Sequence, residues 1–299
     1  MNVTRTFQTL LLLTTFSCFG DVLTADISFA AKLGLPGIID AHIHTSFDSE
    51  PEETSQIPNT QIELLKEFNE AGVLGAVAMT SQGGGGYVAD LEKSKVVFCF
   101  GLGLKTTVAE VEARLKAHKA NCIKVYLGYV HKFAYDKFYR PFYKLAEKYK
   151  VPVAFHTGDT YSIKGKLKYS DPLTIDEVAV DFPKVNFVIA HMGNPWIQSA
   201  AEVAYKNPNV WLEGSALLIG KLSQTPAEKM KEFVINPIKW AFGYVENPKK
   251  VLFGTDWPLS PIKDYADAFS QAIPKESWKD VFYNNALEVY KIPGLNPLP

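Results

Sequence analysis

Residues 37–44 read Gly-Ile-Ile-Asp-Ala-His-Ile-His. Three isoleucines and an alanine around one aspartate predict a short buried strand, and two histidines close it. The same theme recurs along the chain: an apolar run rich in β-branched residues, a polar turn, then a stretch with helical spacing. With the first strand at 37–43, further strands are expected at 73–79, 96–101, 122–127, 152–156, 186–190, 209–213 and 250–254. Helical spacing with one apolar face appears at 61–70, 108–120, 136–150, 175–182, 197–205, 226–242 and 277–290. Continuously apolar strands are buried on both sides, which implies a parallel sheet covered by helices. Eight such units in one chain favour a closed (β/α)8 TIM barrel, class α/β, over an open doubly wound sheet. No Gly-x-Gly-x-x-Gly turn follows the first strand, so a dinucleotide fold is not indicated. The glycine run 83–86 follows the second strand and reads as a flexible loop that could cover a site.

The chain has 299 residues, 47% hydrophobic and 21% charged, a globular composition. A net charge of -1 leaves no basic field, which argues against nucleic acid as a partner. The first residues differ from the rest. Arg5 precedes an apolar run from Phe7 to Gly20, and small residues follow at Ala25, Ala30 and Ala31. This is the order of a secretory signal peptide, assigned to 1–30, with one barrel domain over 31–299. The run is shorter than the roughly 20 residues a membrane span needs. Ser28-Phe29-Ala30 is the first choice of cleavage site and Ala25 the second. Attachment of lipid at Cys18 is a weaker option, because Thr-Phe-Ser precedes it. The expected location is periplasmic or secreted, with no membrane contact beyond an N-terminal anchor. Cys99 and Cys122 remain after cleavage, too few for a disulfide framework. Both are expected as small buried residues, with one bond between them open in an oxidising compartment.

There are six histidines, at 42, 44, 118, 131, 156 and 191. His118 lies late in a charged helix and reads as surface. Four fall at the carboxyl ends of expected strands, the face on which barrel active sites are built. Side chains two apart on a strand point the same way, so His42 and His44 can meet one ion. Val-Leu-Phe-Gly-Thr-Asp at 251–256 brings a carboxylate to the same face. Imidazoles with a carboxylate suit zinc and similar divalent metals. The plainer role for Asp256 is a helix N-cap ahead of Trp257-Pro258.

These pieces, with Ile-Lys-Val-Tyr at 123–126, Pro-Val-Ala-Phe-His-Thr-Gly at 152–158, Phe-Val-Ile-Ala-His-Met-Gly at 187–193 and Leu-Phe-Gly-Thr-Asp-Trp-Pro at 252–258, resemble the amidohydrolase superfamily. Within it they are similar to the amidohydrolase-related branch that includes aminocarboxymuconate-semialdehyde decarboxylase-like proteins. The resemblance runs from 38 to 258. It implies metal binding by His42, His44, His156 and Asp256, and a place for His191 on a second metal or on the reacting group. Lys124 falls where many superfamily members carry a lysine that can be carboxylated to bridge two metals. Here Ile-Lys-Val-Tyr-Leu stands where the branch often reads Ile-Lys-Leu-His-Pro. Bridge, substrate contact and paired structural lysine therefore all stay open for Lys124. The branch holds hydrolases, lactonases, decarboxylases and hydratases.

A single zinc, or manganese, lowers the pKa of bound water to about 7. Asp256 can then take the water's proton and return it to the leaving group, with His191 steadying the oxyanion. The expected activity is metal-dependent hydrolysis of a small amide, ester or lactone. Non-oxidative decarboxylation on the same site is the alternative, and an exported metal-bearing binding protein is a third reading. Specificity belongs to the loops. Tyr126, Tyr129 and His131 follow the fourth strand, Lys164, Lys166 and Lys168 the fifth, and Trp196 the sixth. Of these, Tyr126, His131, Lys168 and Trp196 are the candidate substrate contacts, the lysines having a solvated face as their plainer role. Glu213 either bonds a ligand histidine or is an ordinary loop carboxylate. Oligomeric state stays open between monomer and homodimer.

Overall fold

All eight expected strands form, and they lie side by side in chain order with every neighbouring pair parallel. A computed structural model describes residues 27–299; most of the expected leader, with Cys18, falls outside the described residues. The strands are β1 (Ile38–Ile43), β2 (Val73–Gln82), β3 (Val96–Gly101), β4 (Cys122–Tyr126), β5 (Val153–His156), β6 (Phe187–Ile189), β7 (Val210–Glu213) and β8 (Val251–Leu252). The chain after β8 closes the ring against β1. Ala41 N donates to Phe253 O at 3.0 Å, Asp256 N to His42 O at 2.8 Å, and His44 N to Trp257 O at 2.7 Å. The last strand is shorter than its apolar run suggests, because this irregular stretch takes over the pairing.

The helices are α1 (Phe29–Lys32), α2 (Gln61–Ala71), α3 (Val108–Lys116), α4 (Arg140–Tyr149), α5 (Thr174–Asp181), α6 (Ile197–Lys206), α7 (Ala227–Met230), α8 (Asn236–Tyr244), α9 (Ile262–Ala272) and α10 (Asn285–Tyr290). Local chemistry sets several ends. Thr107 and Glu110 form a capping box at the start of α3. Thr60 accepts from Glu63 N to start α2, which stops at the left-handed Gly72. The stretch expected as one helix over 226–242 is α7 and α8 joined by a π-turn at Lys231–Ile235. Pro237 has no N–H to give Phe233 O, so the regular ladder breaks upstream of it. Between β2 and β3 only a 3-10 turn, Ala89–Ser94, stands where a helix would. Helix α9 is absent from the expected set, although Ile262, Tyr265, Ala266 and Phe269 are buried at helical spacing.

Two apolar cores result. The larger packs strands against the helix ring. The smaller draws at least one residue from every strand, among them Ile39, Val77, Val97, Ala154, Val188, Trp211 and Leu252. It fills the barrel interior, and Tyr283, Leu287 and Tyr290 seal it from below. Cys99 and Cys122 lie in this interior core as register partners on β3 and β4, with Cα atoms 4.3 Å apart, and they form a disulfide. The preferred expectation of free buried thiols is corrected here: burial holds, but strand pairing brings the sulfurs together. No helix of the described residues is long and apolar enough to cross a membrane.

Candidate active site

β1 delivers His42, and the first residue past its end is His44. The two share one target: His42 Nε2 lies 3.4 Å and His44 Nε2 3.0 Å from Asp256 Oδ1. Asp256 is not on a strand but beyond β8, with a left-handed backbone at φ 61°. The N-cap role does not arise, since α9 begins after Pro261. Asp40 positions the segment from below. Its Oδ1 accepts from His42 N (3.0 Å) and Thr255 N (3.1 Å), and its Oδ2 accepts from the Thr255 hydroxyl (2.6 Å).

Glu213 ends β7 and meets His42 Nδ1 at 2.7 Å, both groups buried. The contact needs Gly254, because a Cβ there would run into the Glu213 carboxylate. With Nδ1 donating to Glu213, His42 Nε2 is left as a lone pair. It faces a carboxylate oxygen, so two acceptors oppose each other. A cation between them resolves that arrangement. Asp256 Oδ1 is buried without a hydrogen bond, and so is Lys124 Nζ.

Across the cavity His156 ends β5. Its Nε2 donates to the Asp159 carbonyl at 2.8 Å, which turns Nδ1 toward His191 Nε2 at 3.1 Å. His191 is not on a strand, since β6 stops at Ile189; it sits in a tight turn with φ 59°. His191 Nδ1 lies 3.2 Å from Ser215 O and 3.0 Å from Ser215 Oγ. Ser215 Oγ also reaches Glu213 Oε2 at 3.0 Å. Left-handed backbone at His191, Met192, Ala216 and Asp256 costs about 1–3 kcal/mol each, and such strain gathers at functional sites.

Burial pushes the His42 and His156 imidazoles well below the usual range, with Lys124 adding to the effect at His42 and His191 at His156. Burial also lowers His191 to about 3, against the pull of Asp256. Burial would raise Asp256, but His42, His44 and His191 outweigh it and hold the carboxyl well below the usual range. Imidazole nitrogens beside an ionised carboxylate are the donor types of divalent-metal sites. His42, His44 and Asp256 place ligand atoms within 4.8 Å of one another. His156 faces His191 rather than joining that trio, and all five residues line one cavity. The donor set therefore fits a divalent metal, with His42, His44 and Asp256 as its firmest holders.

The cavity has two lobes. One, of about 340 Å³, is lined by Ser81, Gln82, Lys124 and Tyr126 beside the histidines. The other, of about 220 Å³, continues past Tyr129, His156, His191, Asp256 and Leu259 to the loop 216–219 after β7. Tyr126 presents its ring, because its hydroxyl donates to Thr80 O at 2.6 Å. The remaining candidate contacts lie elsewhere. His131 is exposed, stacks on Tyr169 and bonds the Lys164 carbonyl. Lys168 is exposed over the Tyr169 ring, and Trp196 leads into α6 away from the lining. The solvated-face reading of Lys164, Lys166 and Lys168 is the one these positions fit. The glycine loop after β2 is tied down: Thr45 Oγ1 donates to Gly86 O, and Gly83 N to Gly101 O. Sequence reasoning missed Ser215, the loop 216–219 and Leu259. The Glu-Gly-Ser order at 213–215 was the available signal for the first.

A family model, Amidohydrolase, matches residues 87–292. No curated protein matches the chain. Among solved structures, an uncharacterized TIM-barrel protein from Bordetella bronchiseptica superposes with a TM-score of 0.65 at 20% identity, covering 87% of this chain and 100% of that one. A probable 2-pyrone-4,6-dicarboxylic acid hydrolase from Acinetobacter baumannii, with citric acid bound, gives 0.61 at 16% identity, covering 85% and 99%. The 5-carboxyvanillate decarboxylase from Sphingomonas paucimobilis gives 0.60 at 12% identity, covering 86% and 99%. At these identities the likenesses show the fold.

Proposed function

The chain belongs to the amidohydrolase family, and from that premise we propose that it is a metal-dependent hydrolase acting on a small amide, ester or lactone. One observation carries this reading. His42 Nε2 and His44 Nε2 converge on Asp256 Oδ1, a buried oxygen with no hydrogen bond of its own. The proposed metal is zinc, with manganese the alternative, since imidazole and carboxylate donors suit both. Held there, it would supply an activated water near neutral pH and a Lewis acid for the carbonyl oxygen. Asp256 stays ionised and accepts the attacking water's proton at its carboxylate, then returns it to the leaving group. Glu213 fixes the His42 tautomer, and Ser215 links Glu213 to His191. His191 lines the same cavity, and its proposed role is to donate to the oxygen on which charge develops, with Nε2 turning from His156 to do so.

Turnover in ¹⁸O-labelled water tests the reaction. Hydrolysis places one labelled oxygen in the product and releases no carbon dioxide. Carbon dioxide release with no label incorporated into the organic product would assign the site to non-oxidative decarboxylation, which needs the same metal and no attacking water.

We also propose that the protein is exported. The buried Cys99–Cys122 bond suits an oxidising compartment. Phe29 and Ala30 are buried in α1, Ser28 caps that helix, and Phe29 packs on Phe282 at 5.8 Å. Cleavage at Ala25 keeps this packing intact, whereas cleavage after Ala30 would remove it.

A further inference from the structure

The two lobes of the cavity differ in chemistry, and the difference constrains the substrate. Lys124 Nζ is 1% exposed as a residue, lines the lobe beside the histidines, and has no hydrogen-bond partner. It is the only lysine or arginine among the described residues that lines either lobe. The arginines among the described residues are elsewhere: Arg140 pairs with Asp181 on the outer helices, and Arg114 lies in α3. The second lobe is walled by Leu217, Leu218, Ile219 and Leu259. Its rim carries a carboxylate, Asp159, and no cation. Thr157 and Asn194 beside that wall are polar but uncharged, so a carboxylate carried into this lobe would lose its water and meet no lysine or arginine.

We propose that the substrate is a small monoanion: a carbonyl compound with a single carboxylate held by Lys124 and an uncharged apolar arm lying along Leu217–Ile219. This rests on the site proposed above and adds the class of molecule the site accepts. A buried ammonium is satisfied by one anionic oxygen. The apolar arm takes water off the leucine wall. Dicarboxylates are disfavoured by the same geometry, since the far lobe has no lysine or arginine to receive the distal carboxylate.

Calorimetric binding of non-reacting acids to the metal-loaded enzyme tests this without relying on turnover. Hexanoate and adipate have the same chain length and differ by a distal carboxylate. Hexanoate is expected to bind about tenfold tighter or more, because the distal charge must be desolvated without a cationic side chain to receive it. Lys124→Met is expected to weaken hexanoate by about tenfold, the loss of one charge-assisted contact, with metal content unchanged. Ile219→Asp, on the loop, is expected to weaken hexanoate and leave acetate alone. Equal or tighter binding of adipate by the wild-type enzyme would overturn the proposal whatever the variants do, and so would a Lys124→Met protein that loses its metal. A hexanoate preference in an enzyme that hydrolyses nothing would uphold the pocket and sink the hydrolase reading. Labelled-water turnover alongside equal binding of the two acids would do the reverse.

Discussion

Glu213 Oε2 and His42 Nδ1 meet at 2.7 Å with neither side chain more than 1% exposed. The bond decides which nitrogen of His42 is free, and that nitrogen faces Asp256. Glu213→Gln is expected to lower metal affinity by roughly 10- to 100-fold while the fold persists. A chelator titration of the two proteins reads this. Unchanged affinity would make Glu213 a structural carboxylate only.

Asp256 is assigned both a ligand oxygen and the proton transfer. Asp256→Asn keeps the shape and one oxygen donor but is a far weaker base. With metal restored at saturating concentration, its kcat is expected to fall by about 10²- to 10⁴-fold. A variant with full metal and near wild-type kcat would move the base to another residue.

Glu67 offers a pH test away from the metal. Burial raises its carboxyl from 4.5 to about 7, opposed by hydrogen bonds from Ile262 N and Trp257 Nε1. The folded state therefore holds this proton more tightly than the unfolded chain does. The associated stability is complete below pH 4.5 and is lost as pH rises through 7. Relative to Glu67→Gln, the wild type should lose about 3 kcal/mol or less across that window. Melting curves of both proteins from pH 4 to about 7.5 check it, and parallel pH profiles would remove Glu67 from the account.

The eight strands and the histidines at the barrel mouth were legible because burial on both faces and side-chain alternation are written directly in apolar runs. His42 was legible for the same reason, and so was Asp256 as a carboxylate near that face, though not its turn past β8. What escaped depends on how segments approach in three dimensions. Asp256 and His191 sit in left-handed turns past their strands, where an apolar run gives no sign of stopping. Ser215 acquires a role only when the ends of β1, β6 and β7 converge. Lys168 and His131 are loop residues whose direction no periodicity encodes, and they point away from the cavity. Helix α9 carried its apolar spacing but follows Pro258 and Pro261, which punctuate the stretch as a loop. A bond between the two cysteines was left open on compartment grounds alone, and their pairing follows from strand register.

The Cys99–Cys122 bond and the expected leader make a joint prediction. The mature exported chain should begin before Ser28 and show no free thiol when unfolded without reductant. Replacing both cysteines by alanine is expected to cost about 3 kcal/mol, the loop-closure contribution for their separation. N-terminal sequencing, thiol counting and thermal unfolding read the three parts. A start at Ala31, or two reactive thiols, would contradict the proposal.

The account rests on a metal held by His42, His44 and Asp256, and elemental analysis of wild type beside a folded His42→Ala protein tests it most directly. The prediction is one divalent ion per chain in the wild type and almost none in the variant, with activity absent from the variant. A His42→Ala protein that keeps both its metal and its turnover would contradict the assignment.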